Sequence, residues 1–128
     1  MKKNILVVDD DERNMRLFSD LLEVKGYTVI KAMNGKEGVE LAEKTKPDLI
    51  LMDIQMPIMD GMEAIKILKN RESTKSIPII ALTSYAMRDD KERILSAGCN
   101  GYLAKPVVIR EFLSMVAEHV ISTTSRGE

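Results

Sequence analysis

Short apolar runs recur along this chain at similar intervals, and they leave few folds open to it. Three of them, at residues 5–8, 49–52 and 77–82, consist almost entirely of aliphatic residues and have the length of a β-strand. An apolar run without polar alternation is typical of a strand that is covered on both faces of a parallel sheet. Residues 27–30 form a fourth, shorter run, and residues 101–104 a weaker fifth. The sequence therefore predicts five strands.

The segments between and after these runs carry apolar residues at helical spacing. They predict five helices, at residues 12–25, 36–44, 61–70, 88–97 and 109–121. Strands that alternate with helices in this way are parallel and are joined by right-handed crossovers, with helices on both faces of the sheet. We therefore predict an α/β domain of five β-α units that ends at residue 121. Residues 122–128 are expected to form a short flexible tail.

The composition restricts the class of protein further. A chain of 128 residues fits one domain, and 45% hydrophobic with 30% charged residues is an ordinary globular balance. The net charge of −1 argues against a polybasic nucleic-acid binder. No apolar run has the length of a membrane span, and a single cysteine excludes an internal disulfide. We therefore expect a cytoplasmic protein that binds neither nucleic acid nor membrane.

Polar residues follow the predicted strands at their carboxyl ends, where open α/β sheets bind ligands. These residues are Asp9, Asp10 and Asp11 after the first strand, Asp53 after the third, Thr83 after the fourth and Lys105 after the fifth. Each has an ordinary explanation when taken alone, as an aspartate that caps a helix or a lysine that faces water. Together they bring carboxylates to one edge of the sheet, where their charges repel unless a cation neutralises them.

A hard divalent cation suits such a cluster, because Mg²⁺ binds carboxylate and phosphate oxygens. The lysine at the same edge adds a fixed positive charge that suits a phosphate group. A carboxylate beside Mg²⁺ can act as a nucleophile toward phosphorus, and a threonine hydroxyl can donate to a phosphoryl oxygen. The pattern therefore points to phosphoryl transfer onto an aspartate.

The residues Asp9-Asp10, Asp53, Thr83 and Lys105-Pro106, with the loop at residues 52–61, resemble the receiver domain of two-component response regulators. The resemblance covers residues 4–121 and is closest to stand-alone, single-domain regulators. It implies a flavodoxin-like (βα)5 fold with strand order 2-1-3-4-5. It also implies a receiver domain at residues 1–121 with no output domain.

The resemblance implies a role for each acidic residue. Asp53 is expected to accept a phosphoryl group from a sensor histidine kinase or a histidine phosphotransfer protein. Asp10 and Asp53 are expected to ligate Mg²⁺, which Mn²⁺ can replace, while Asp9 acts through water. Gln55 is expected to contribute its backbone carbonyl to the same ion.

The remaining implied roles concern the switch. Thr83 is expected to bond a phosphoryl oxygen, and Lys105 to pair with the phosphate before a cis bond to Pro106. Tyr102 occupies the aromatic switch position of the family. These residues are expected to couple the site to the surface made by the fourth helix, fifth strand and fifth helix, which would bind a downstream protein target in a phosphorylation-dependent way.

Several other functions stay open at this point. The chain could pass its phosphoryl group to a second histidine protein, as a relay shuttle rather than an effector. A Mg²⁺-dependent phosphohydrolase is a different class, but haloacid dehalogenase-like enzymes need an acid two residues after the nucleophile, where this chain has Gln55. A receiver-like scaffold that is never phosphorylated is a third class. We expect no enzyme activity beyond the chain's own phosphorylation and dephosphorylation.

Overall fold

A computed structural model describes residues 3–54, 59, 61–83 and 88–126, and the side chains of these residues except 88–91 and 121–126. Strands and helices alternate throughout. They are β1 (Asn4–Val8), α1 (Glu12–Val24), β2 (Thr28–Ala32), α2 (Gly35–Thr45), β3 (Leu49–Asp53), α3 (Gly61–Lys69), β4 (Ile79–Thr83), α4 (Arg88–Ser96), β5 (Gly101–Ala104) and α5 (Ile109–Arg126). The strands form one parallel sheet in the order β2-β1-β3-β4-β5. This order confirms the predicted flavodoxin-like fold.

The sheet is covered on both faces, as its aliphatic strands predict. Successive side chains of a strand point to opposite faces, so Leu6 and Val8 lie in one core cluster while Ile5 and Val7 lie in the other. The first cluster is completed by α2, α3 and α4, and the second by α1 and α5. β3 and β4 are buried along their whole length. The carboxyl edge of the sheet is thus supported by a core that is packed on both faces.

The stacked rings of Phe18 and Phe112 join the helices of the second cluster. Their centroids are 5.0 Å apart, and both side chains are buried. Since Phe18 belongs to α1 and Phe112 to α5, this contact fixes the two helices side by side on one face of the sheet.

Several predicted boundaries differ from the structure, most of them by one or two residues. β2 begins at Thr28 rather than at residue 27, and β4 begins at Ile79 rather than at residue 77. Pro78 explains the second difference, because it has no N–H for the ladder and only its carbonyl bonds, to the N–H of Ile50 at 3.0 Å. The last helix continues to Arg126, so the predicted helix end at residue 121 is wrong. Residues 109–126 contain no glycine or proline that would end the helix earlier. The domain boundary at residue 121 stays a prediction.

Lys69 holds the opposite, amino-terminal edge of the sheet together. Its ammonium donates to the carbonyl oxygens of Lys75 and Ile77, at 3.3 and 2.8 Å, and to Oδ1 of Asn100 at 3.1 Å. The same Oδ1 accepts from the N–H of Ile79 at 2.9 Å. The end of α3 and the starts of β4 and β5 therefore share one cation.

No helix in the part of the chain that the structure describes is both long and apolar enough to cross a membrane.

Candidate functional site

The strand order places two carboxylates side by side at the carboxyl edge of the sheet. β1 and β3 are neighbours, so Asp9, directly after β1, lies next to Asp53, the last residue of β3. Asp10 joins them from the turn after β1. A carboxylate oxygen from each of the three lies within 4.8 Å of the others. Asp9 and Asp53 are buried and Asp10 is exposed, so the cluster opens to solvent on one side.

The turn after β1 gives each of its three aspartates a different environment. The N–H of Asp9 donates to the carbonyl of Ala32 at 3.0 Å, which extends the pairing with β2 by one residue. Oδ1 of Asp9 accepts from the N–H of Asp11 at 2.9 Å and tightens the turn. Asp11 caps α1, since its Oδ1 accepts from the N–H groups of Arg13 and Asn14 at 2.8 and 3.3 Å. Helix capping, the ordinary explanation for an aspartate in such a turn, therefore holds for Asp11.

Lys105 brings the positive charge of the site. Its Nζ lies 3.2 Å from Oδ1 of Asp53 and 3.4 Å from Oδ2 of Asp9, and its side chain is 16% exposed. The backbone N–H of Lys105 donates to the carbonyl of Thr83 at 2.8 Å, which positions the residue directly after β5. The peptide bond to Pro106 is cis, as the resemblance implied. One ammonium thus bridges the two buried carboxylates.

Two further predicted site residues, Thr83 and Tyr102, lie on neighbouring strands. Thr83 ends β4, is fully buried and pairs with Ala104 of β5. Tyr102 pairs with Ala81, two residues earlier on the same pair of strands, and packs half-buried against the first core cluster. The structure therefore places Thr83 at the edge that carries the acids, and Tyr102 further back along β5.

Gly61 is a residue of the site that the sequence predictions do not single out. Its N–H donates to the carbonyl of Ile54 at 3.0 Å, and a Cβ here would overlap the backbone carbonyl oxygen of Asp53. A glycine at the first position of a predicted helix was the available signal, because glycine forms helices poorly. The predicted metal contact of Gln55 lies outside the described residues.

The donor chemistry of the cluster fits a hard divalent cation. Three carboxylates and one ammonium leave two negative charges, and the ammonium bonds only two of the carboxylates. Carboxylate oxygens in this number are the protein ligands that Mg²⁺ and Mn²⁺ prefer. Asp9, Asp10 and Asp53 could therefore hold such an ion between them.

Comparisons with known proteins agree with this geometry. Residues 5–117 match the family described as the response regulator receiver domain. The polar-differentiation response regulator DivK of Brucella anthropi is 43% identical over 120 residues, which cover 94% of this chain and 98% of that protein. DivK of Brucella ovis matches equally well. The match spans nearly the whole length of these relatives.

Solved structures give the same result. A response regulator receiver domain protein of Methanospirillum hungatei superposes with a TM-score of 0.90 at 30% identity, over 98% of this chain and 99% of that one. The receiver domain of a sensor histidine kinase from Pseudomonas aeruginosa, with a magnesium ion coordinated in its active-site cleft, superposes with a TM-score of 0.87 at 35% identity. That match covers 94% of this chain and 98% of the other. Fold, acidic edge and sequence agree, and the chain belongs to the response regulator receiver domain family.

Proposed function

We propose that Asp53 accepts a phosphoryl group from a phosphohistidine and that this modification switches the binding of a protein partner. One observation carries the proposal. Three carboxylates from two neighbouring strands converge within 4.8 Å, and the Nζ of Lys105 lies 3.2 Å from Asp53. Ordinary helix capping explains Asp11, but it does not explain two buried carboxylates at the end of a sheet. The cluster suits a ligand that brings charge of its own, such as a metal ion or a phosphoryl group.

The proposed step is an in-line displacement at phosphorus. A carboxylate oxygen of Asp53 forms the new O–P bond while the N–P bond of the phosphohistidine breaks. The electron pair of that bond returns to the imidazole nitrogen, and the ring leaves as neutral imidazole because its other nitrogen carries a proton. Asp53 is 2% exposed, so the donor reaches it only through the open side of the cluster. Such a site excludes most of the water that would compete.

Lys105 and Thr83 are the proposed binders of the transferred group. The ammonium already lies between Asp9 and Asp53, so it can stabilise the phosphoryl oxygens without a large movement. Thr83 ends the strand next to β3, and its hydroxyl is proposed to donate to one of those oxygens.

The ion is proposed to be Mg²⁺, with Mn²⁺ as a substitute. Asp10 and Asp53 would hold it directly, Asp9 through water, and Gln55 through its backbone carbonyl. When bound, the ion supplies positive charge that offsets the repulsion between the carboxylates and the phosphoryl oxygens. The chain's own residues orient the nucleophile and hold the charge.

The output surface is proposed to be the face of α4, β5 and α5. Thr83 and Tyr102 link the site to it through the pairing of β4 with β5. Val108, at 53% exposure, and Leu95 offer exposed apolar side chains there. Met115 of α5 is half-buried against the second core cluster. A partner that senses the phosphorylated state would contact the exposed residues.

The phosphodonor is proposed to be a sensor histidine kinase or a histidine phosphotransfer protein that docks beside the site. Leu17 of α1 and Ile109 of α5 are exposed, at 42% and 49%, and the two helices lie side by side. Exposed apolar side chains on these two neighbouring helices suit a helical partner that presents a histidine to the acidic cluster. The proposed location is the cytoplasm, which the buried free thiol of Cys99 suits.

Intact-mass measurement tests the proposal. The protein is incubated with Mg²⁺ and acetyl phosphate, and the wild type should gain about 80 Da per phosphoryl group. Asp53→Ala should gain nothing. Glu23→Ala, which removes an exposed carboxylate of α1, is the matched control and should gain as much as the wild type. A gain in Asp53→Ala would place the acceptor elsewhere, and no gain in any protein, with a kinase also supplied, would favour a scaffold.

The effector and the relay shuttle differ in the fate of the phosphoryl group. Phosphate-dependent affinity for a target without transfer would identify an effector, and reversible transfer to a second histidine protein would identify a relay. A phosphohydrolase would release more than one equivalent of product from a small phosphoester, whereas the proposed switch turns over only its own acyl phosphate.

A further inference from the structure

A second concavity lies outside the acidic site, between α1 and the edge strand β2. Its volume is about 480 Å³, within the range of roughly 300–1,000 Å³ that small-molecule sites occupy. The apolar part of its wall comes from Met15 and Met33, and its polar part from side chains of α1 and β2. Nothing in the proposed phosphorylation switch uses this groove.

A buried hydroxyl in the wall of the groove lacks a partner. Ser19 lines the groove and is 2% exposed, yet its Oγ has no hydrogen-bond partner among the described residues. A buried hydroxyl without a hydrogen bond costs stability. A hydrogen-bond partner that reached this hydroxyl from the groove would therefore stabilise the protein.

Two cationic residues of the groove lie at a similar level of α1 and β2. α1 runs antiparallel to β2, because the N–H of Tyr27 bonds Leu22 at one end and Ala32 bonds Asp9 at the other. Lys31 lies about 10 Å from the start of β2. Arg16 lies about 10 Å from Leu22, back along α1, and is therefore at a similar level. Lys31 and Arg16 both line the groove at this level. Their charges are unpaired in the described part of the chain.

The two carboxylates of the groove lie on either side of Arg16 along α1. Glu12 and Asp20 are each four residues from Arg16, about 6 Å along the helix in opposite directions. They lie on either side of the two cations. Their negative charges disfavour a ligand that carries a second negative charge. The groove thus combines two cations near its middle with one unsatisfied hydroxyl, two thioether side chains and two flanking carboxylates.

We propose that this groove binds a small anionic amphiphile, a carboxylate carried on a short apolar chain. The carboxylate would accept from Arg16, Lys31 and the hydroxyl of Ser19, while the apolar chain would lie against Met15 and Met33. The proposal stands apart from the phosphorylation of Asp53, because neither its residues nor its test involves that site.

Amide NMR titration of the full, unphosphorylated chain tests the proposal with three probes of one size: hexanoate, hexylammonium and 1-hexanol. Hexanoate should shift the amide signals of residues 15–20 and 31–33 with a saturable dependence in the millimolar range. Hexanol should bind more weakly and hexylammonium most weakly. Equal shifts from hexylammonium, shifts confined to other elements, or a response to hexanoate that never saturates would overturn the proposal.

Variants separate the groove from general surface charge. Arg16→Gln should weaken hexanoate about tenfold, as expected for loss of one charge-assisted hydrogen bond. Arg13→Gln removes an exposed arginine of the same helix that does not line the groove, and it should bind like the wild type. Ser19→Ala should weaken binding while leaving the urea midpoint unchanged or higher. Equal affinities of the two arginine variants, or a large loss of stability in Ser19→Ala, would contradict the assignment.

Discussion

Replacing Asp53 by asparagine should stabilise the metal-free protein, although it removes one half of a buried ion pair. The attraction between Lys105 and Asp53 at 3.2 Å amounts to about 5 kcal/mol at an effective dielectric constant of about 20. Repulsion from Asp9, no more than 4.8 Å away, is about 3.5 kcal/mol on the same scale, and exposed Asp10 adds about 1 kcal/mol through water. These interactions nearly cancel.

The cost of desolvating the carboxylate therefore decides whether the substitution raises or lowers the free energy of unfolding. Asp53 is 2% exposed, and burying a carboxylate costs several kcal/mol that a neutral amide of the same shape does not incur. Lys105 keeps Asp9 as a partner at 3.4 Å, so the substitution leaves no unpaired buried ammonium. We expect Asp53→Asn to raise the free energy of unfolding by about 1–3 kcal/mol in the absence of divalent ions.

Urea unfolding with EDTA and with Mg²⁺ measures this effect. An ion that binds only the folded wild type adds about 2.7 kcal/mol at about 100 times its Kd, and the variant, which lacks one ligand, should gain less than half of that. Glu23→Gln, an exposed site on α1, should stay within about 0.5 kcal/mol of the wild type. If Asp53→Asn is instead less stable than the wild type in EDTA by about 1 kcal/mol or more, the pair with Lys105 is structural and the reasoning is refuted.

Three other changes test separate parts of the structure. Asp11→Ala removes the cap of α1 and should cost about 1 kcal/mol in urea unfolding, and no loss would mean that water replaces the cap. Gly61→Ala should cost about 1–3 kcal/mol and slow the mass gain from acetyl phosphate, because its Cβ displaces the carbonyl of Asp53; unchanged kinetics would contradict this contact. Burial is the largest cause that raises the pKa of the Cys99 thiol, and backbone hydrogen bonds and Lys69 offset part of it. The unfolded thiol ionises first, so stability should fall as pH rises from the ordinary thiol pKa to the raised one, and Cys99→Ala, followed by urea unfolding at several pH values, should lack this loss.

Much of the fold could be predicted because its strands are buried on both faces. The run at residues 49–52 has no polar residue to set a face, and only a central parallel strand accommodates that pattern. The ends of helices were less predictable. The serines and threonines after residue 121 suggested a frayed tail, but no residue there forbids a helix, and α5 continues to Arg126.

The acidic site could be predicted because strand ends of a parallel sheet share one edge. Asp9, Asp53 and Lys105 needed only the strand order to be brought together. Contacts made away from the carboxyl ends of the strands could not be predicted in this way. The bonds of Lys69 to three groups and the unpartnered hydroxyl of Ser19 depend on the packing of helices against the sheet, which periodicity does not specify.

The bridge from Lys105 to two carboxylates also sets an order of events during protein synthesis. Asp9 leaves the ribosome first, and the lysine that neutralises it follows 96 residues later. A growing chain that has already made β1 and β3 holds adjacent acids without their counter-charge, and their repulsion opposes early docking of the two strands. The ion pairs at the acidic edge are thus completed only after β5 has been synthesised. Truncated products of translation would carry the aspartates without the assembled cluster.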